Sequence, residues 1–164
     1  ATLMPLHAYI VRIYYISTCS NPTGVGGTCS PSDDTIPTLR MVEFANNAQN
    51  NIPLVEGIED MRLDYGVDST SDGSPDSFTT TPTPPTVCPP PSPGDWANVM
   101  AIRVNLLARG IDCSTGHVET KNYNMGLAGF VSAPASTCTT GSDFKRHAFS
   151  ELVRLTNVAG RRAP

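Results

Sequence analysis

The chain has 164 residues, of which 16% are charged, 39% are hydrophobic and 15 are proline. This length favours a single domain spanning residues 1–164, and the scarcity of charge argues against a helical bundle. With 11 basic and 15 acidic residues and a net charge of -4, the sequence has no basic tract that would bind nucleic acid. No apolar run in the sequence approaches the length of about 18 residues that a membrane-spanning helix requires.

The first half of the sequence predicts two strands and one short helix. Ala8–Ser17 has β-branched and aromatic residues on both faces, which is typical of a central strand. Pro37–Phe44 is a second strand candidate. A short helix is predicted at about Pro53–Glu59, because Asn51 can cap it, a proline suits its first turn and apolar side chains share one face.

Two later segments, Met61–Val67 and Met100–Leu106, alternate apolar and polar residues with the period of a half-buried strand. Phe144–Leu155 is a third and longer strand candidate. Strands of this kind with one short helix predict an α+β, mostly β fold built on antiparallel sheet, with long loops rich in Pro, Gly and Ser.

Two long segments are predicted to be irregular. Residues 69–94 form an Asp-, Thr- and Pro-rich loop, in which Thr79–Pro93 cannot form a helix or a sheet ladder. This stretch is either an exposed recognition loop, since Pro82–Pro85 has PxxP spacing, or a tolerated surface insertion. Asp112–Ser142 is the second irregular segment.

Five cysteines occur without the close pairs that zinc sites use. Cys19 and Cys29 flank one Gly-rich loop and Cys113 and Cys138 flank another, so two disulfides are predicted on loop grounds, with other pairings open. Cys88 is then the unpaired cysteine. Disulfides indicate the periplasm or the cell exterior, and the alternative is a cytosolic protein with reduced, buried cysteines.

The acidic segment Asp68–Asp76 is the best candidate for a metal site. Oxygen-bearing side chains alternate along it, and Gly73 stands where an EF-hand loop has its turn glycine. The candidate Ca²⁺ ligands are Asp68, Thr70, Asp72 and Asp76. Because Thr79 occupies the position of the closing carboxylate, the alternative is a solvated Asx turn. No other cofactor is predicted.

The sequence has no GxSxG or HExxH motif, so it carries no common hydrolase signature. His117 near Cys113 suggests a thiol nucleophile, but a disulfide explains this cysteine better. The carboxylate pairs Asp33–Asp34 and Glu59–Asp60 are interpreted as solvated turns or helix ends. No catalytic residue is predicted.

Three separated blocks of the sequence form a recognisable set: IPLVEGIEDMRLDYGVD (Ile52–Asp68), DWANVMAIRVNLLAR (Asp95–Arg109) and FKRHAFSELVRLTNVAGRR (Phe144–Arg162). Together they resemble the PilW-type minor pilins of type IV pili, which are similar to the J-type minor pseudopilins of type II secretion. The last block departs from the family pattern, because Thr156 stands where the family commonly has Arg.

The resemblance implies a pilin-like headgroup without the long apolar N-terminal helix that anchors such a parent protein in the inner membrane. It implies a non-enzymatic subunit, in the periplasm or on the pilus, that acts in priming and tip-complex assembly. Its implied partners are other minor pilins, the major pilin and a large tip adhesin. The alternative function is a secreted calcium-dependent adhesive module.

The same resemblance predicts an exposed apolar patch. Because a pilin headgroup packs its sheet against the long helix, the headgroup alone should leave one sheet face uncovered. The candidate faces belong to Met61–Val67 and Ile102–Leu106. A neighbouring molecule or the predicted helix Pro53–Glu59 is the expected cover.

Overall fold

The computed structural model describes residues 10–45, 48–83, 95–135 and 137–155. Over these ranges the chain forms antiparallel β-structure with 3₁₀ turns at Val25–Gly27, Asp95–Asn98 and Gly126–Ala128, and without an α-helix. The fold is therefore mostly β, and the α+β expectation is not met there. No helix in the described ranges is long and apolar enough to cross a membrane.

The strands are β1 (Val11–Ser17), β2 (Thr38–Ala45), β3 (Ala48–Glu56), β4 (Ile58–Val67), β5 (Ser77–Thr79), β6 (Val99–Arg109), β7 (Ser114–Thr115), β8 (Asn122–Asn124), β9 (Phe130–Ser132), β10 (Ser142–Asp143) and β11 (Arg146–Arg154).

The first sheet has three antiparallel strands in the order β1-β2-β3. Its strand β1 lies at an edge, so the prediction that Ala8–Ser17 is a central strand is wrong. The chain that follows β1 folds back over the sheet, where Cys19 is fully buried and the buried Arg40 donates a hydrogen bond to the carbonyl oxygen of Ser20 at 2.7 Å. This edge strand leaves apolar side chains exposed on both faces, since the successive residues Ile13 and Tyr14 are 51% and 48% exposed.

The segment predicted as a helix, Pro53–Glu59, forms the end of β3 and the start of β4, so the helix prediction is wrong. Asn51 does not cap a helix, because its amide accepts a hydrogen bond from Arg40 and donates one to the hydroxyl of Tyr15, both at 2.9 Å. Pro53 lacks an N–H group and is tolerated because β3 is an edge strand, next to a register shift at which Leu54 is the extra residue of β3.

Gly57 joins the two sheets at the bend between β3 and β4. Its φ of 80° lies in the left-handed region, and a Cβ there would lie 2.6 Å from the carbonyl oxygen of Arg109. The N–H of Gly57 bonds to Pro37 at 2.7 Å, and its carbonyl accepts the N–H of Arg109 at 2.8 Å. The bend therefore requires glycine, and it ties the first sheet to the second.

The second sheet has four antiparallel strands in the order β11-β6-β4-β5. The three strands expected from the alternating segments Met61–Val67, Met100–Leu106 and Phe144–Leu155 are confirmed as β4, β6 and β11. One face of this sheet packs against the segment that contains β8 and β9. The hydrophobic core lies in that interface and contains Leu107, Tyr123 and Met125, with Val131, Ala133 and Ala148 packed against them.

Candidate functional site

The four-stranded sheet has one face that is almost entirely apolar. Cross-strand register places Met61 beside Leu106 and Leu63 beside Val104, and β11 adds Phe149 beside the same leucine of β6. Residues directly opposite each other in an antiparallel pair share a face. We define the apolar face as Met61, Leu63, Tyr65, Ile102, Val104, Leu106, Phe149 and Val153.

The apolar face is only partly buried. Its members on β4 and β6 are each partly exposed, while Phe149 and Val153 on β11 are 55% and 47% exposed. Trp96, which is 49% exposed, packs edge-on against Tyr65 with ring centroids 5.0 Å apart and extends the face. The patch predicted on Met61–Val67 and Ile102–Leu106 is therefore confirmed in part, because these strands leave apolar side chains partly exposed but the most exposed members lie on β11. No helix forms at Pro53–Glu59 to cover the face.

The opposite face carries polar and charged residues, of which Asp64 and Asn105 are buried, whereas the side chains of Arg62 and Arg103 are 52% and 35% exposed. Asp64 is fully buried and Asn105 is 1% exposed. The Asp64 carboxylate accepts hydrogen bonds from the Leu127 N–H at 3.3 Å and the Asn105 amide at 3.2 Å, and it lies 3.7 Å from the Arg103 guanidinium. The sheet thus covers its polar face with its own chain and leaves its apolar face open, an arrangement that suits docking.

A buried ion-pair cluster ties β11 to β4. Arg146 binds the Glu59 carboxylate in a bidentate manner, at 2.6 and 3.1 Å, and its guanidinium also contacts Asp143 at 3.1 Å. Arg109 lies 3.6 Å from the same Glu59 carboxylate and 3.7 Å above the ring of Phe144. The interpretation of Glu59 as part of a solvated turn or helix end is wrong, because its side chain is 7% exposed and paired.

The predicted calcium ligands lie in the turn that follows β4. Asp68 is fully buried, and its carboxylate accepts the N–H groups of Ser71 at 2.6 Å and Gly73 at 3.0 Å. Ser71 has a φ of 65°, which an Asx-type turn accommodates. These hydrogen bonds give Asp68 a structural role in shaping the turn.

The remaining predicted ligands also bond to their own turn. The Asp76 carboxylate accepts hydrogen bonds from the N–H and hydroxyl groups of Ser69 and Thr70, and these hold the pKa of Asp76 below its ordinary value, the Ser69 hydroxyl contributing most. Asp72 accepts the N–H of Ser74 at 2.8 Å. Within the described ranges no three His, Cys, Asp or Glu side chains are grouped to hold a metal. Calcium binding by Asp68, Thr70, Asp72 and Asp76 stays a prediction.

The structure contains the two disulfides expected from the loops, Cys19–Cys29 and Cys113–Cys138. Cys88 and most of Thr79–Pro93 lie outside the described residues. The described end of that stretch is fixed to the start of the next element. Thr83 donates its N–H to the Asp95 carboxylate and accepts the N–H of Asp95, both at 3.0 Å.

A carboxylate outside the disulfide loop Cys19–Cys29 also holds this part of the chain together. Asp34 accepts the N–H groups of Ser20 at 2.8 Å and Ile36 at 2.9 Å. These bonds, with the Ser20 N–H contributing most, lower the pKa of Asp34 from 3.8 to about 2. The interpretation of Asp33–Asp34 as a solvated turn holds in part, because Asp34 is exposed but organises the loop around it.

Replacing Asp34 by Asn should remove a pH-dependent contribution to stability. Since the folded-state pKa lies below the unfolded value, the wild-type carboxylate stabilises the fold fully above about pH 4, and this contribution is lost as the pH falls from about 4 to about 2. Urea unfolding between pH 2 and pH 6 measures it. The wild type should be more stable than the variant at pH 6 and equal to it near pH 2, and a constant difference would contradict the expectation.

Comparison with known proteins gives a family match. The model of the family described as Type IV Pilus-assembly protein W matches residues 13–157. The matched range includes the four-stranded sheet, all of the three-stranded sheet except the first two residues of β1, the apolar face and the buried ion-pair cluster. No curated protein and no solved structure shows significant similarity to the chain.

Proposed function

The chain belongs to the type IV pilus-assembly protein W family, and we propose that it is a minor pilin that acts in pilus assembly through protein–protein contacts. The specific role that we propose is priming of assembly within a tip complex. Its proposed partners are other minor pilins and the major pilin, with a large tip adhesin as a further one. We further propose that residues 1–164 act as one non-enzymatic domain.

The apolar face is the observation that supports this proposal most directly. Fully burying one large apolar side chain contributes about 1.5–3 kcal/mol, so a face of partly exposed apolar side chains leaves several kcal/mol of burial unused. A docked partner would bury these side chains and gain this free energy. We propose that the partner element is a pilin helix, since an amphipathic helix presents a matching apolar stripe.

The disulfides support the proposed location. Cys19–Cys29 and Cys113–Cys138 would persist in an oxidising compartment, which agrees with the periplasm or an external pilus. By the resemblance to minor pilins, we propose that the complete protein is anchored in the inner membrane before it is assembled.

Replacing Val104 by Glu tests the proposed docking of the apolar face. Val104 lies at the centre of this face on β6, between Leu63 and Glu151 of the neighbouring strands. A carboxylate there would have to be desolvated on docking, which costs several kcal/mol, so we expect at least about a tenfold loss of complex. The measurements are co-purification with the other minor pilins and the number of surface pili.

The matched control is Val118→Glu, since Val118 is 65% exposed and lies outside the sheets. This variant should assemble like the wild type. Unfolding experiments should show that Val104→Glu lowers the free energy of unfolding by only about 1–2 kcal/mol, so that the assembly defect is not a folding defect. Normal piliation with Val104→Glu, or an equal defect with Val118→Glu, would refute the docking role.

A further inference from the structure

Two long edge strands of the molecule differ in how they are protected against pairing. β3, at the edge of the three-stranded sheet, carries Pro53 and lies opposite a register shift, and both features discourage the addition of another strand. β11 runs for nine residues in continuous register with β6 and contains no Pro, Gly or bulge. Among the described residues no strand pairs with its outer side.

The register shows which backbone groups of β11 point outward. The N–H of Leu155 bonds to the carbonyl oxygen of Met100 at 2.8 Å, in the same register as the pairing of β11 with β6. Because hydrogen-bonding direction alternates along an antiparallel strand, the odd-numbered residues from 147 to 155 bond to β6. Ala148, Ser150 and Leu152 therefore present their N–H and C=O groups outward, and no backbone hydrogen bond to them is seen within the described ranges.

Exposed apolar side chains flank this edge on both faces. Phe149 and Val153 lie on the apolar face, and Leu152, which is 51% exposed, lies on the opposite face. Glu151 lies between Phe149 and Val153, opposite Val104, and is exposed. No ion pair among the described residues includes Glu151.

We propose that the outer edge of β11 is a docking site for an extended strand of another protein, which adds to the four-stranded sheet by backbone hydrogen bonds. The chemistry of the edge defines that strand. It has a Lys or Arg that pairs with Glu151, with apolar residues two positions before and after it that pack on Phe149 and Val153. Backbone pairing supplies affinity, and this apolar–basic–apolar pattern supplies specificity.

A second copy of the chain is a poorer occupant than such a strand. Antiparallel self-pairing over the full length of β11 would place Arg146 opposite Arg154 and Phe149 opposite Glu151. Like charges directly opposite each other destabilise a strand pair, and the apolar side chains would lose their apolar partners. A different strand with the stated pattern places apolar residues beside Phe149 and Val153 and a basic residue beside Glu151. The proposal does not depend on the pilus role and is tested without it.

The test uses the 164-residue chain and two synthetic peptides as long as β11, which has nine residues. The peptides share apolar residues two positions on either side of their centre and differ only in having Lys or Glu at the centre. The Lys peptide should bind about tenfold more tightly in a fluorescence titration and should slow hydrogen exchange at Ala148, Ser150 and Leu152. Glu151→Lys should reverse the preference between the peptides.

Two variants of Leu152 separate backbone pairing from side-chain packing. Leu152→Pro removes an outward N–H without removing a bond to β6 and should abolish peptide binding, whereas Leu152→Ser keeps the N–H and should retain most of it. Equal binding of the two peptides, no binding, or slowed exchange elsewhere would overturn the proposal. The proposal would also be overturned if the amides of Ala148, Ser150 and Leu152 were already protected from hydrogen exchange in the free chain. Self-association of the chain that Leu152→Pro abolishes would overturn it as well.

Discussion

Replacing Arg146 by Met should lower the free energy of unfolding by about 3–5 kcal/mol, because it leaves the buried Glu59 carboxylate without its bidentate partner. The Arg146 side chain is fully buried, so water does not replace the lost contacts. Arg109 remains 3.6 Å from Glu59 but is already engaged with the ring of Phe144. Urea unfolding at neutral pH, followed by circular dichroism, measures the loss.

A double variant and an exposed ion pair serve as controls for this prediction. Arg146→Met combined with Glu59→Leu removes both charges of the bidentate pair and should recover part of the loss, because no buried carboxylate is then left at position 59. Recovery is incomplete because Arg109 also loses Glu59 and keeps only its hydrogen bond to the carbonyl oxygen of Thr35 and its contact with Phe144. Arg62→Met breaks an exposed ion pair with Asp60 and should cost less than about 1 kcal/mol. A double variant as unstable as the single one would show that Arg146 acts through packing rather than through its charge.

Removing the Cys113–Cys138 disulfide by the double change Cys113→Ala and Cys138→Ala should lower the free energy of unfolding by about 3 kcal/mol. This bridge closes a sequence separation of 25 residues, and the loop contributes Tyr123 and Met125 to the core. Loss of the bridge should therefore also loosen the segment that covers the polar face of the sheet. Unfolding curves and hydrogen exchange at Tyr123 and Met125 measure both effects.

The other disulfide provides the comparison for this variant. Cys19–Cys29 closes a separation of 10 residues, so the change of Cys19 and Cys29 to Ala should cost somewhat less on the chain-entropy account. A reductant, which opens both bridges, should reproduce the combined loss in the wild type. If the variant without Cys113–Cys138 were as stable as the wild type, that bridge would not constrain the unfolded chain in the way expected.

Alternation of apolar and polar residues was enough to predict β4, β6 and β11 and the chemistry of the apolar face. This works because residue spacing of two is a local property that the sequence displays directly. It also gave part of the exposed patch, since Met61, Leu63 and Val104 share one face when the apolar positions of β4 pair with those of β6, as they do here. The most exposed members, Phe149 and Val153 on β11, were not among the expected residues.

The parts that sequence reasoning missed depend on contacts between distant residues. Pro53–Glu59 has the local features of a helix start, but pairing of β3 with β2 and the bend at Gly57 place it in strands instead. Glu59 and Arg146 are 87 residues apart, and no local pattern marks them as a pair. The burial of Asp64 could not be predicted locally either, because the turn that covers it contains Leu127, 63 residues further along the chain.

On the proposed docking role, the open apolar face has a consequence for copies of the chain that have no partner bound. A copy that has not yet docked exposes Phe149, Val153 and Trp96 to solvent, and other undocked copies carry the same surface. Such copies should aggregate as their concentration rises and should attract proteases and chaperones that recognise exposed hydrophobic surface. We expect that the steady-state level of this protein in the cell is set by the supply of its partners rather than by its own synthesis.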